Sequence, residues 1–136
     1  NTNTNTNTNT NTNTNTNIEN THELSVNDQI LATAFENQTS DLQVTGEGIV
    51  IVLLADDTTG SQHQKFILEL ESKQTLLIAH NIDLAPRIDS IKIGDAVSFY
   101  GEYEYNDEGG VVHWTHIDPA GLHINGWLIH ESITYE

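Results

Sequence analysis

Asn and Thr alternate without interruption from Asn1 to Asn17, with no charge and no apolar side chain in the stretch. A period of two is the side-chain period of a β-strand, so an extended chain here would line one face with Asn and the other with Thr. Helix is excluded on two counts: both residues are poor helix formers, and no apolar stripe recurs at 3.6 spacing. Thr favours strands, and stacked Asn side chains form hydrogen-bonded ladders in cross-β assemblies. Polar low-complexity tracts commonly remain disordered leaders, but length favours another reading. Fully extended, the repeat reaches roughly 55 Å at about 3.3 Å per residue. A compact domain of the remaining size has a radius of gyration of ~13 Å and a diameter of about 35 Å. A straight tail would therefore overhang its own domain and lie against another molecule. We read residues 1–22 as an assembly strand, with Asn1, Thr2, Asn7, Thr8, Asn9, Thr10, Asn15, Thr16 and Asn17 supplying its ladder, and residues 23–136 as one domain.

The rest of the 136-residue chain suffices for a single core. No apolar run approaches the ~18 residues of a membrane-spanning helix. The absence of Cys excludes disulfides and thiolate metal ligands. Twenty acidic residues oppose only Lys65, Lys73, Arg87 and Lys92, for a net charge of −16. Phosphate binding by counterion release needs clustered Lys and Arg, and these four are scattered, so nucleic acid is not an expected partner. An acidic surface suits solubility, a saline habitat, or divalent cations bridging neighbours. A sequence that starts inside a repeat suits a mature, processed product. Export to the cell surface or beyond is expected, with the periplasm as the alternative.

Ser25-Val26-Asn27-Asp28 has the form of a helix start, and Ile30, Leu31, Ala34 and Phe35 give one apolar face, which predicts a helix over 26–37. Strands follow. Val44 to Leu54 is β-rich and holds Gly46 and Gly48, which suit a bend or bulge. Gln62 to Leu70 alternates, with Gln64, Phe66, Leu68 and Leu70 on one face, and Thr75 to Ile82 is the third strand. Ala96 to Asn106 and Val111 to Asp118 read as a hairpin around Asp107-Glu108-Gly109-Gly110, with a last strand over Trp127 to Tyr135. The fold class is mainly β: an OB-like barrel of five or six strands with one short N-terminal helix, preceded by the extended Asn-Thr strand.

Several uncommon strings occur in order: His63-Gln64-Lys65-Phe66-Ile67-Leu68, the run Leu76 to Ile88 with Ala79-His80-Asn81 and Ala85-Pro86-Arg87, Tyr100-Gly101-Glu102-Tyr103-Glu104-Tyr105, and Gly109-Gly110-Val111-Val112-His113-Trp114-Thr115-His116. With Asp118-Pro119 and Gly126-Trp127 they resemble the bacterial secreted or periplasmic family called domain of unknown function 3465, over about residues 41–135. The resemblance implies a fold and export. It implies no activity, and the Asn-Thr repeat lies outside it.

His116, Asp118 and His123 are the candidate metal ligands. His116 and Asp118 share a face of a strand, and His123 can return from the Pro119–Gly121 turn to complete a site for a divalent cation such as zinc or calcium. His113, three residues from His116, points to the opposite face of a regular strand. The competing reading is a set of structural, hydrogen-bonding histidines. Asp56 and Asp57 lack the ligand spacing of an EF-hand. Arg87 is expected to pair with Asp83 or Asp89, and Trp114 and Trp127 are expected as core or interface anchors. No nucleophile elbow and no phosphate-cradling glycine loop is present, so no catalytic or cofactor-binding residue is assigned and the expectation leans away from an enzyme.

Two functions remain. The first is a structural subunit of an extracellular filament, a homopolymer formed when the Asn-Thr strand adds to a neighbour's sheet. The second is a secreted monomeric OB-like domain that binds a metal or small ligand through His116, Asp118 and His123, as a hydrolase in its boldest form.

Overall fold

The computed structural model describes residues 24–136; residues 1–23, and with them the assembly strand and its ladder residues, lie outside the described residues. One helix, α1 (Val26–Glu36), precedes seven strands: β1 (Leu42–Leu53), β2 (His63–Glu69), β3 (Thr75–Asn81), β4 (Ala96–Glu104), β5 (Val111–His113), β6 (Trp127–His130) and β7 (Ile133–Tyr135). β1 pairs with β2, β2 with β3, β3 in parallel with β5, β5 with β4, and β4 again with β1, which closes a five-stranded barrel. That circuit is the OB-fold order. β6 extends the sheet from β4, and β7 from β6.

Strand alternation builds the interior. Gln64, Phe66, Leu68 and Leu70 are buried, as are Leu76, Ile78, Val97, Phe99, Tyr103, Val112 and Leu128, while their sequence neighbours face outward. α1 covers the end of the barrel at the β2–β3 turn. Ser25 caps it by accepting from Asp28 N–H at 3.1 Å, Leu31 and Ala34 enter the core, and Gln74 Nε2 ties the Leu31 carbonyl to that of Gly109. The connector after β3 covers the opposite end with Ile88, whose backbone is held on both sides by the Gln64 amide at 2.9 Å. Among the described residues no helix is long and apolar enough to cross a membrane.

Three sequence expectations need correction. The strand read over Val111 to Asp118 ends at His113, because Trp114 adopts φ +56 and turns the chain out of the ladder. The last strand is a hairpin, because Glu131 and Ser132 take φ +52 and +67, the paired left-handed residues of a two-residue turn. The β1 bulge lies between Val50 and Val52 rather than at a glycine. Gly46 and Gly48 serve close approach instead: a Cβ on Gly46 would stand 2.8 Å from the Phe99 ring, and one on Gly48 would stand 3.0 Å from the Glu69 carbonyl.

His80 sits wholly inside this frame. Its Nε2 donates to the Pro86 carbonyl at 2.9 Å, so its Nδ1 is the acceptor for the Thr115 hydroxyl at 2.8 Å, the neutral tautomer. Burial lowers its pKa from 6.5 to about 4, against the raising effect of the Pro86 bond. The unfolded chain therefore binds this proton more readily than the folded one. The contribution to stability is complete above pH 6.5 and is lost as pH falls toward 4, a loss of roughly 3 kcal/mol at about 1.36 kcal/mol per pH unit. Urea midpoints measured from pH 7.5 to 4.5 should fall accordingly, and His80→Gln should flatten that slope.

Candidate functional site

β4 and β5 present a polar outer face. Inward Gly101 and Tyr103 leave Glu102 and Glu104 outward, and register places Glu102 opposite His113. His113 Nε2 lies 3.2 Å from Glu104 and 3.7 Å from the Oε2 of Glu102. Glycine at two positions lets the chain that leaves β5 pack closely here, at Gly101 from the inner side of β4. A Cβ on Gly101 would stand 2.4 Å from the His113 carbonyl, and one on Gly126 would stand 2.0 Å from that of Trp114. Trp114 contacts two imidazoles, with His123 stacked on it at 3.9 Å and 7° and His116 tilted at 5.1 Å.

The three expected ligands divide their roles. His116 is buried, and its Nδ1 bonds the Ile117 carbonyl at 2.8 Å. Asp118 organises a turn, accepting the N–H groups of Ala120, Leu122 and His123 at 3.0, 2.9 and 2.8 Å. These bonds, Ala120's foremost, lower its pKa. His123 reaches Glu102 Oε1 at 2.5 Å through Nε2 and the Ile124 carbonyl at 2.8 Å through Nδ1. Burial alone would lower its pKa, but the bonds to Glu102 and Ile124 and the nearby Asp118 charge raise it on balance. Among the described residues, donor atoms converge within 4.8 Å in two sets, Glu102-Glu104-His113 and Asp95-His130-Glu131; neither includes His116 or Asp118. Sequence reasoning missed the first set: the Glu-x-Glu alternation puts both carboxylates on one face, but the β4–β5 register is needed to bring His113 to them. Arg87 pairs with Asp89 as expected, at 3.0 Å, while its fork grips Asp56 rather than Asp83.

A second feature lies on the far side of β4. β1 pairs with β4 over Leu42–Ile49 but with β2 only from Ile49 onward. The other edge of β1 over 42–48 thus has no strand partner among the described residues. Where β1 and β2 diverge, a groove of about 780 Å³ opens, walled by Thr45–Ile49 on one side and Glu69–Lys73 on the other. Ala96, Ser98 and Trp127 line it, and Ser25 at the start of α1 stands at its border.

A family model described as "Protein of unknown function (DUF3465)" matches residues 16–136, so the matched region takes in α1 as well as the barrel. No curated protein matches the chain.

Proposed function

We propose, for a chain that belongs to the DUF3465 family and whose family description carries no activity, that it is an exported structural subunit of an extracellular filament. The Asn-Thr segment of one subunit adds as a strand to the open edge of β1 in the next. The observation that carries this reading is the β1 edge over 42–48 that has no strand partner among the described residues and lies beside a groove. An antiparallel partner leaves alternate N–H and C=O groups of such an edge available. Strand addition uses those main-chain groups for affinity and asks little of side chains, which suits a monotonous repeat.

Charge selects the occupant. Asp28, Glu47, Glu69 and Glu71 line the groove against the single Lys73. An acidic strand would be repelled there. The repeat, with seventeen consecutive uncharged residues, brings no charge to desolvate. A head-to-tail contact between a tail and another copy's groove does not close on itself, and so generates an open helical polymer.

Negative-stain microscopy tests the reading. Full-length protein is expected to form fibres, and deletion of residues 1–17 should leave dispersed particles. Ala96→Arg, which places a long side chain in the groove at an exposed position, should do the same with a stability change within about 0.5 kcal/mol. Fibres from the deleted chain would defeat the reading, as would a full-length protein that stays monomeric.

A further inference from the structure

We propose that Glu102, Glu104 and His113 form a binding site for a first-row divalent metal ion of the zinc type, with His123 as the positioning residue that holds Glu102. The site is independent of the assembly groove and uses neither His116 nor Asp118.

Spacing is the first argument. One donor atom from each of the three residues lies within 4.8 Å of the other two. Tetrahedral coordination at about 2.1 Å separates donors by about 3.4 Å. The imidazole-to-carboxylate distances of 3.2 and 3.7 Å bracket that value, so the three side chains need little rearrangement to close on an ion.

Proton arithmetic is the second. Two half-buried carboxylates face the one Nε2 of His113, and a single N–H satisfies one of them. A cation at the centre satisfies both. The third argument comes from His123. Its two nitrogens bond the Ile124 carbonyl and Glu102 Oε1, which fixes that oxygen. Glu102 Oε2 is left toward His113. Ligating carboxylates are themselves held by outer-shell hydrogen bonds, and His123, stacked on Trp114, supplies that bond to Glu102.

The donor set decides the class. One imidazole with two carboxylates suits zinc and its first-row neighbours, whereas calcium and magnesium take all-oxygen shells. The other converging set is less suited, because the Asp95 oxygen that faces His130 already accepts the Lys92 N–H at 2.9 Å from outside the set.

The test is calorimetric titration of chelator-stripped full-length protein with Zn²⁺. One ion per chain is expected, bound at least about 100-fold more tightly than Ca²⁺. Glu104→Gln and His113→Gln should each remove stoichiometric binding, and His123→Gln should weaken it by about 10-fold or more. His63→Gln, an imidazole outside the cluster, should leave it unchanged. Metal-free melting temperatures near the parent's verify that the variants fold. If one variant unfolds, the visible spectrum of bound Co²⁺, retained by the parent and lost in the other variant, decides. Zn²⁺ binding unaffected by either ligand substitution, no binding by the parent, or Ca²⁺ bound as tightly as Zn²⁺ overturns the proposal.

Discussion

Replacing Thr8 and Thr10 with Pro is expected to abolish fibres while leaving the thermal unfolding of the barrel nearly unchanged. Proline deletes an N–H donor and is refused by a strand paired on its N–H side. The barrel closes through pairings that all lie within residues 42–113, so it owes the tail little. Register gives the same experiment a finer form. Removing two residues from the repeat keeps every Asn and Thr on its face, whereas removing one flips all those beyond the cut. The two-residue deletion should therefore assemble far better than the one-residue deletion. Fibres from the proline variant, or equal behaviour of the two deletions, would make the tail a passive leader. Microscopy and sedimentation of the four proteins suffice to decide.

Gly110→Ala should be among the most damaging single substitutions in the barrel. Gly110 has φ +114, where a side chain is strained, and a Cβ there would stand 2.2 Å from the Tyr103 ring. That ring cannot yield, because Tyr103 is fully buried and its hydroxyl donates to the Gly109 carbonyl at 2.8 Å. Backbone strain and overpacking together cost about 4 kcal/mol, a large share of a typical domain's stability. A fall in melting temperature of roughly 15 °C follows. Gly121→Ala is the control. It shares a positive φ, +70, but its Cβ would meet nothing within 4 Å, so only the strain of about 1 kcal/mol is expected. Calorimetry giving equal losses for the two would refute the steric account.

How much of this was legible in the sequence depended on whether the cause was local. The helix start at Ser25 and the alternation of Gln64 to Leu70 are local patterns, and both stand in the structure. The hairpin around Gly109-Gly110 was readable for the same reason. The end of β5 was not. It depends on a tryptophan in the left-handed region, a conformation that no rule for Trp anticipates. The division of the last strand depends likewise on Glu131 and Ser132 at positive φ, where sequence rules look for Asn or Gly.

The sites followed the same division. His116, Asp118 and His123 drew notice by their crowding in the chain, yet Asp118 spends its carboxylate on a turn. Glu102, Glu104 and His113 converge only once the β4–β5 register is known. The groove was further out of reach, because it arises where β1 leaves β2 while still pairing with β4, a consequence of barrel closure rather than of any local motif.

The central claim is that the repeat of one subunit lies in the β1 groove of another, and disulfide trapping tests it most directly. The chain has no Cys, so introduced thiols have no competitor. Asn9→Cys protein is mixed with Ser98→Cys protein, Ser98 being in the groove wall, and the mixture is oxidised mildly. The account predicts a disulfide-linked dimer containing one chain of each variant, lost when residues 1–8 are also removed or Ala96→Arg is added to the acceptor. No mixed dimer, together with a disulfide closed within a single chain when both cysteines are placed in it, would put the tail in its own groove and contradict the claim.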